Sequence, residues 1–145
     1  MDKSEQSRKP DDEERLICLV SSGKVYLSKM QFLRGYCILQ AEPEVPSINH
    51  LALDQQAAFF ADMTCVGDAI LEVTGAHRIN YALLGNSMPI LHAHIVPRYA
   101  SEPAELKQAL PWTNPAMDDP ETVFKYARDK DLMDALKKKI LVRAD

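Results

Sequence analysis

The sequence predicts an α+β domain with a mostly antiparallel sheet of about five strands, one long helix and a C-terminal helix. Three observations carry this expectation. The β-prone runs and helical segments follow the order strands, helix, strands, helix, with no strict β-α-β alternation, which argues against a parallel sheet. One segment, residues 54–73, shows apolar residues recurring at helical spacing. The chain has 145 residues, 46% hydrophobic and 26% charged, the length and balance of one soluble globular domain with a core large enough to need no disulfide staples.

Residues 1–14 carry three basic and six acidic side chains and are expected to form a flexible tail, with a single domain over 15–145 and a C-terminal extension from about residue 100. Leu16-Ile17-Cys18-Leu19-Val20 is a first strand. Ser21-Ser22-Gly23 turns it into Lys24-Val25-Tyr26-Leu27, a hairpin signal. A loop over 30–35 leads to a third strand at 36–41, ended by Pro43 and Pro46 because proline cannot donate to a ladder. The helix over 54–73 has Asp54 near its start and Gly75 as its stop. Its apolar face is expected to be Ala57, Ala58, Ala61, Cys65, Ala69, Ile70 and Val73, widened by Phe60 and Met63, with Gly67 a small internal cost. A strand over 78–84 follows, then the loop Gly85-Asn86-Ser87-Met88-Pro89, then a strand over 91–96 closed by Pro97-Arg98-Tyr99. A proline-spaced stretch containing Trp112 precedes a final helix from about Pro120 to Val142, whose lysines at 137–139 suit a helix C-terminus.

Composition excludes several classes. The three cysteines, Cys18, Cys37 and Cys65, form no CxxC pair, so zinc-ribbon and thioredoxin-type readings fail and reduced, apolar thiols are expected. The charged start does not read as a signal peptide, and no run approaches the ~20 apolar residues of a membrane helix. A net charge of −4 without a basic stripe argues against a nucleic-acid partner. A cytoplasmic protein with neither a nucleic-acid nor a membrane partner is the expectation.

The chemistry concentrates in His92-Ala93-His94. Alternation along a strand points both imidazoles to one face, with Cα atoms about 6.5 Å apart at ~3.3 Å rise per residue. Three readings compete. The pair is two half-exposed strand histidines without a role, or two ligands of a metal site, or a nucleophile and its neighbour in phosphate chemistry. The metal reading needs a third ligand; residues 95–101 offer no glutamate, and the next is Glu102.

The string Gly85-Asn86-Ser87-Met88-Pro89-Ile90-Leu91-His92-Ala93-His94-Ile95-Val96-Pro97-Arg98-Tyr99 resembles the histidine triad (HIT) superfamily, and in particular bacterial HIT-like proteins described as diadenosine tetraphosphate hydrolase-like. The resemblance spans about residues 15–112, including the Leu33-Arg34-Gly35-Tyr36 turn and the long helix. It implies a HIT-like fold, a small-molecule nucleotide substrate and a homodimer, for which the apolar helix 54–73 either serves or is already used within the monomer. The family pattern has histidines at i, i+2 and i+4. His94 falls on the third, His92 on the central one, and Ile90 stands at the first. The central histidine is the family's nucleophile, so the resemblance implies that His92 attacks an α-phosphate, with His94 as its catalytic neighbour.

By the same resemblance Asn86 and Ser87 contact phosphate, although Gly-Asn-Ser is also an ordinary turn. Arg98 either reaches a distal phosphate or sits in solvent. For the nucleoside, Ser28 falls where relatives contact ribose, and Leu27, Phe32 and Ile38 line a base pocket or belong to the core. Many relatives carry histidine where this chain has Tyr36. Asn80 is a further candidate donor, His50 and His77 are read as surface residues, and Trp112 either closes over substrate or anchors the extension. No metal and no required cofactor is expected, a divalent cation entering only with the substrate. The reading is a nucleotide hydrolase cleaving dinucleoside polyphosphates or related nucleotidyl compounds at the α-phosphate. Its alternatives are a nucleotide-binding protein with little turnover and a nucleotidyl transferase.

Overall fold

A computed structural model describes residues 13–144. Most of the expected tail lies outside the described residues; residues 13–15 form a short helical turn leading into the first strand. Five strands follow: β1 (Leu16–Val20), β2 (Gly23–Leu27), β3 (Cys37–Ala41), β4 (Arg78–Ala82) and β5 (His92–Arg98). They make one antiparallel sheet in the order β1-β2-β3-β5-β4. The helices are α1 (Leu53–Thr74), a short α2 (Ala104–Lys107) and α3 (Tyr126–Ala144).

Side-chain alternation divides the sheet into two faces with different tasks. Val25, Leu27, Leu39, Ala93 and Ile95 turn to one side and are fully buried with Phe59, Val66 and Ile70 of α1 and Leu136 and Ile140 of α3. Each Val, Leu, Ile or Phe side chain among them contributes about 1.5–3 kcal/mol on burial, which makes this layer the main source of stability. The opposite face carries His92, His94, Val96 and Arg98 of β5. The register sets Gln40 against His92 and Ile38 against His94.

The helix α1 has the expected bounds within a residue, but its inward face is rotated from the one expected. Phe59, Met63, Val66, Gly67, Ala69 and Ile70 are buried, while Ala57 and Ala61 are exposed and Phe60 is 40% exposed. Alanine propagates a helix wherever it lies, so it marks helix without marking the face; the larger side chains decide which side packs. Gly67 is a point of close approach between helix and sheet: a Cβ there would lie 2.0 Å from the Tyr81 hydroxyl, so the end of that side chain would have to move. Asp62, also on the inner face, accepts from the Ser22 amide at 2.9 Å and from the hydroxyls of Ser22 and Ser21 at 2.6 and 3.0 Å, tying the β1–β2 turn to the helix.

Strand β5 continues through Pro97 instead of closing at Val96. The carbonyl of Arg98 accepts from His77 on the β4 side, so alternation turns Pro97's missing donor toward β3, which pairs only as far as Ile95. The C-terminal helix starts at Tyr126, six residues later than expected. Pro111, Pro115 and Pro120 each open a separate 3-10 turn, and the Asp129 carboxylate accepts from the Lys125 amide at 3.0 Å where α3 begins. The basic end of α3 pairs with α1, Lys139 with Glu72 at 3.5 Å and Arg143 with Asp68 at 3.7 Å. Cys18, Cys37 and Cys65 are free thiols, and burial pushes Cys18 up to about 11. No described helix is long and apolar enough to cross a membrane.

Gly23 is the tightest point of the sheet. A Cβ there would sit 2.0 Å from the Gln40 carbonyl oxygen, a backbone atom with no room to yield. Gly23→Ala is expected to destabilise the fold by about 3 kcal/mol, as forced overpacking does. Urea denaturation checks this, and an unchanged midpoint would refute it.

Candidate active site

His92 begins β5, where the chain arrives from the loop 83–91. Gly85, at φ 71°, occupies the left-handed region that favours glycine and turns Asn86 and Ser87 back toward the strand. Leu91 is pinned on both sides, its amide donating to Val45 at 2.7 Å and its carbonyl accepting from Ala41 at 3.0 Å. The adjacent Ile90 carbonyl is therefore a fixed acceptor, and His92 Nδ1 lies 2.6 Å from it. A carbonyl only accepts, so Nδ1 carries the hydrogen, and in the neutral imidazole Nε2 keeps the lone pair. The backbone of Ile90, at the position of the first triad histidine, thus sets the tautomer of the central one.

His94 is oriented from the other side. Its Nδ1 lies 2.7 Å from the Tyr36 hydroxyl, and its ring stands edge-on to His92 with centroids 4.9 Å apart. Burial, followed by the neighbouring His92, lowers His94 from 6.5 to about 4, so its imidazole is neutral near pH 7. Burial likewise pushes Tyr36 up to about 12, against smaller opposing hydrogen bonds from the Trp112 and Ser28 side chains. The phenol therefore keeps its hydrogen near neutral pH, and His94 Nδ1 stands at hydrogen-bond distance to accept it. Donation from the phenol places the hydrogen of His94 on Nε2. The two histidines have opposite tautomers, one offering a lone pair and the other a donor.

These groups meet at an open cleft of about 270 Å³, lined by Asn86, Ser87, Met88, His92, His94 and Trp112 among others. Trp112 packs its ring edge-on against His94, centroids 5.4 Å apart. The expected residues His92, His94, Asn86 and Ser87 are brought together here. Phe32 and Ile38 are half-buried and pack with Trp112 against Leu33, Tyr36 and Val96, forming an apolar shelf beside His94.

Three expected residues lie elsewhere. Leu27 is fully buried on the helix-covered face of the sheet, so it is core and does not line a base pocket. Ser28 is only 2% exposed; its hydroxyl accepts from the Met30 amide at 3.1 Å and flanks the Tyr36 phenol, behind the cleft instead of facing it. Arg98 neither reaches the cleft nor sits in solvent. It is buried, with its guanidinium committed to Asn80 Oδ1, the Glu102 carboxylate and the carbonyls of Leu106 and Ala109. Asn80 is taken up by the same interaction. His50 and His77 are exposed. Among the described residues no group of three or more His, Cys, Asp or Glu is placed to hold a metal ion. Tyr36 was legible only as a substitution for histidine, and its part in orienting His94 comes from the structure.

No protein-family model matches the chain, and no curated protein matches it in sequence. Solved structures do. A histidine triad protein from Bradyrhizobium japonicum is 25% identical, with a TM-score of 0.71, covering 92% of this chain and 96% of its own. One from Marinobacter aquaeolei is 20% identical, with a TM-score of 0.71 and 88% of each chain covered. A hypothetical histidine triad nucleotide-binding protein from Sulfolobus tokodaii is 15% identical, with a TM-score of 0.67, covering 88% of this chain and 84% of its own. With this fold and with its histidine pair at the start of β5, the chain belongs to the histidine triad superfamily.

Proposed function

We propose that the protein hydrolyses dinucleoside polyphosphates, or related nucleotidyl compounds, at the α-phosphate through a nucleotidyl-His92 intermediate. The observation that carries this reading is the 2.6 Å bond from His92 Nδ1 to the Ile90 carbonyl, which leaves Nε2 as an unprotonated nucleophile in the cleft. The nucleotide-binding description of the Sulfolobus tokodaii neighbour supports the substrate class.

In the first step Nε2 attacks the α-phosphorus, a P–N bond forms, and the P–O bond to the polyphosphate breaks, its electron pair leaving with the oxygen. In the second, water attacks the same phosphorus and releases one proton to solvent, the P–N bond breaks with its electron pair returning to Nε2, and the mononucleotide leaves. Little covalent work falls to the remaining residues, and positioning and charge stabilisation carry the rate. His94 Nε2–H, the Ser87 hydroxyl and the Asn86 amide are the donors for the phosphate oxygens. The apolar shelf of Phe32 and Ile38 receives the nucleoside. A polyphosphate is a good leaving group, so no strong general acid is needed.

The test is incubation with diadenosine tetraphosphate, chromatography of the products, and mass spectrometry of rapidly quenched protein. The expected result is AMP and ATP with an adenylyl adduct on the peptide containing His92. Absence of turnover and adduct together with nucleotide binding by calorimetry would favour a binding protein instead. Adduct transfer to added inorganic phosphate, yielding ADP, would identify a transferase.

A further inference from the structure

Arg98 belongs to the same face of β5 as the two histidines, yet none of its donors enters the cleft. Its side chain is 7% exposed and so is that of its partner Glu102, an enclosed ion pair. Nε and Nη2 bind the two carboxylate oxygens of Glu102, each at 3.1 Å. Nη1 reaches Asn80 Oδ1 at 2.8 Å and the Ala109 carbonyl at 3.0 Å, and Nη2 reaches the Leu106 carbonyl at 2.9 Å. Glu102 also accepts from the Tyr99 amide at 2.8 Å.

These bonds have one geometric result. They fold the segment after β5 back onto the sheet, fixing it at residues 99, 102, 106 and 109. Residues 111–113 then form the 3-10 turn that carries Trp112. That segment contains no strand and only the short helix α2, so little regular secondary structure sets its path. A planar five-donor fork that meets two carboxylate oxygens and two carbonyls has a fixed shape, which a lysine does not reproduce.

We infer that Arg98 and Glu102 form a clamp that positions Trp112 over His94, so that closure of the nucleotide site depends on an ion pair that never touches substrate. Arg98 is a positioning residue acting through Trp112. The kinetic consequence rests on the proposed function, but the placement of Trp112 does not.

Trp112 is the chain's only tryptophan, so intrinsic fluorescence reads its surroundings without labelling. The experiment compares wild type, Arg98→Lys and Glu102→Gln by emission maximum, acrylamide quenching and far-UV circular dichroism. Both variants are expected to show red-shifted emission and stronger quenching with an unchanged dichroism spectrum. With diadenosine tetraphosphate, KM is expected to rise about tenfold while kcat stays within about threefold, the pattern of lost binding with intact chemistry. Folded variants with wild-type emission and quenching would overturn the clamp. A wild type without turnover would count against the proposed activity alone, because the fluorescence comparison still decides the clamp. Glu102→Gln keeps the size of the side chain and removes only its charge, so it serves as the readout where Arg98→Lys does not fold.

Discussion

Replacing His92 with alanine is expected to lower kcat/KM for diadenosine tetraphosphate by about 10³-fold or more, equivalent to about 4 kcal/mol of barrier. The substitution removes the only group proposed to form a bond to phosphorus, and no neighbour can replace it. His94 is turned so that its Nε2 carries a hydrogen, and its lone pair on Nδ1 is engaged with Tyr36. The variant keeps the donors that hold the phosphate, so affinity for AMP, measured by calorimetry, is expected to stay within about tenfold of wild type. That combination separates lost chemistry from lost binding. Unchanged turnover in the variant would end the covalent route through His92.

The place of the candidate site was legible in the sequence because strand alternation puts its two histidines on one face and because residues 85–99 resemble the histidine triad motif; alternation alone left three readings open. Residues two apart share a face, and the glycine-containing loop before them announces a change of direction. The same parity places Arg98 on that face, and there sequence reasoning stops. Parity gives direction but not company, and the company here is Glu102, four residues on, with Asn80 from the adjacent strand. An arginine whose neighbours satisfy its fork is part of the frame, while the same arginine beside an open cleft would be a phosphate ligand.

The helix α1 shows the matching limit for periodicity. Alanines at helical spacing revealed the helix, yet its inward face is set by Phe59, Met63 and Val66 and by the close approach of Tyr81 at Gly67. Those are facts of packing between distant segments. Leu27 belongs with them: it is next to Ser28 in sequence but on the opposite face of the sheet from the histidines.

Ile90 and Tyr36 together explain how a site without the first triad histidine can still be ordered. The tautomer of His92 is set by a main-chain carbonyl, which any residue supplies at that position. What the backbone cannot supply is the partner of His94, and that role falls on the side chain of Tyr36. The chain therefore tolerates isoleucine at 90 while depending on the hydroxyl at 36.

That dependence gives the second large effect. Tyr36→Phe is expected to lower kcat about 100-fold, the scale on which the loss of one aligned donor to a phosphate or oxyanion acts. Phenylalanine fills the same buried space, so folding is retained, and the rings of Phe32 and Trp112 keep an aromatic neighbour. What disappears is the phenol hydrogen on His94 Nδ1. The imidazole is then free to carry its hydrogen on either nitrogen, and only one tautomer donates into the cleft. The pH behaviour follows from the same environment. Burial lowers His94 to about 4 in the folded protein, from 6.5 when exposed. The unfolded chain therefore binds the extra proton first, and this group's contribution to stability is complete above about pH 6.5 and is lost as pH falls through 4. Its full size is on the order of 3 kcal/mol. Imidazole resonances of His94 are expected to titrate near pH 4 in wild type, followed by nitrogen-detected NMR. In Tyr36→Phe the same spectra are expected to show Nδ1 and Nε2 sharing the proton. A variant that retains both wild-type kcat and a single Nε2–H tautomer would show that Tyr36 only fills space.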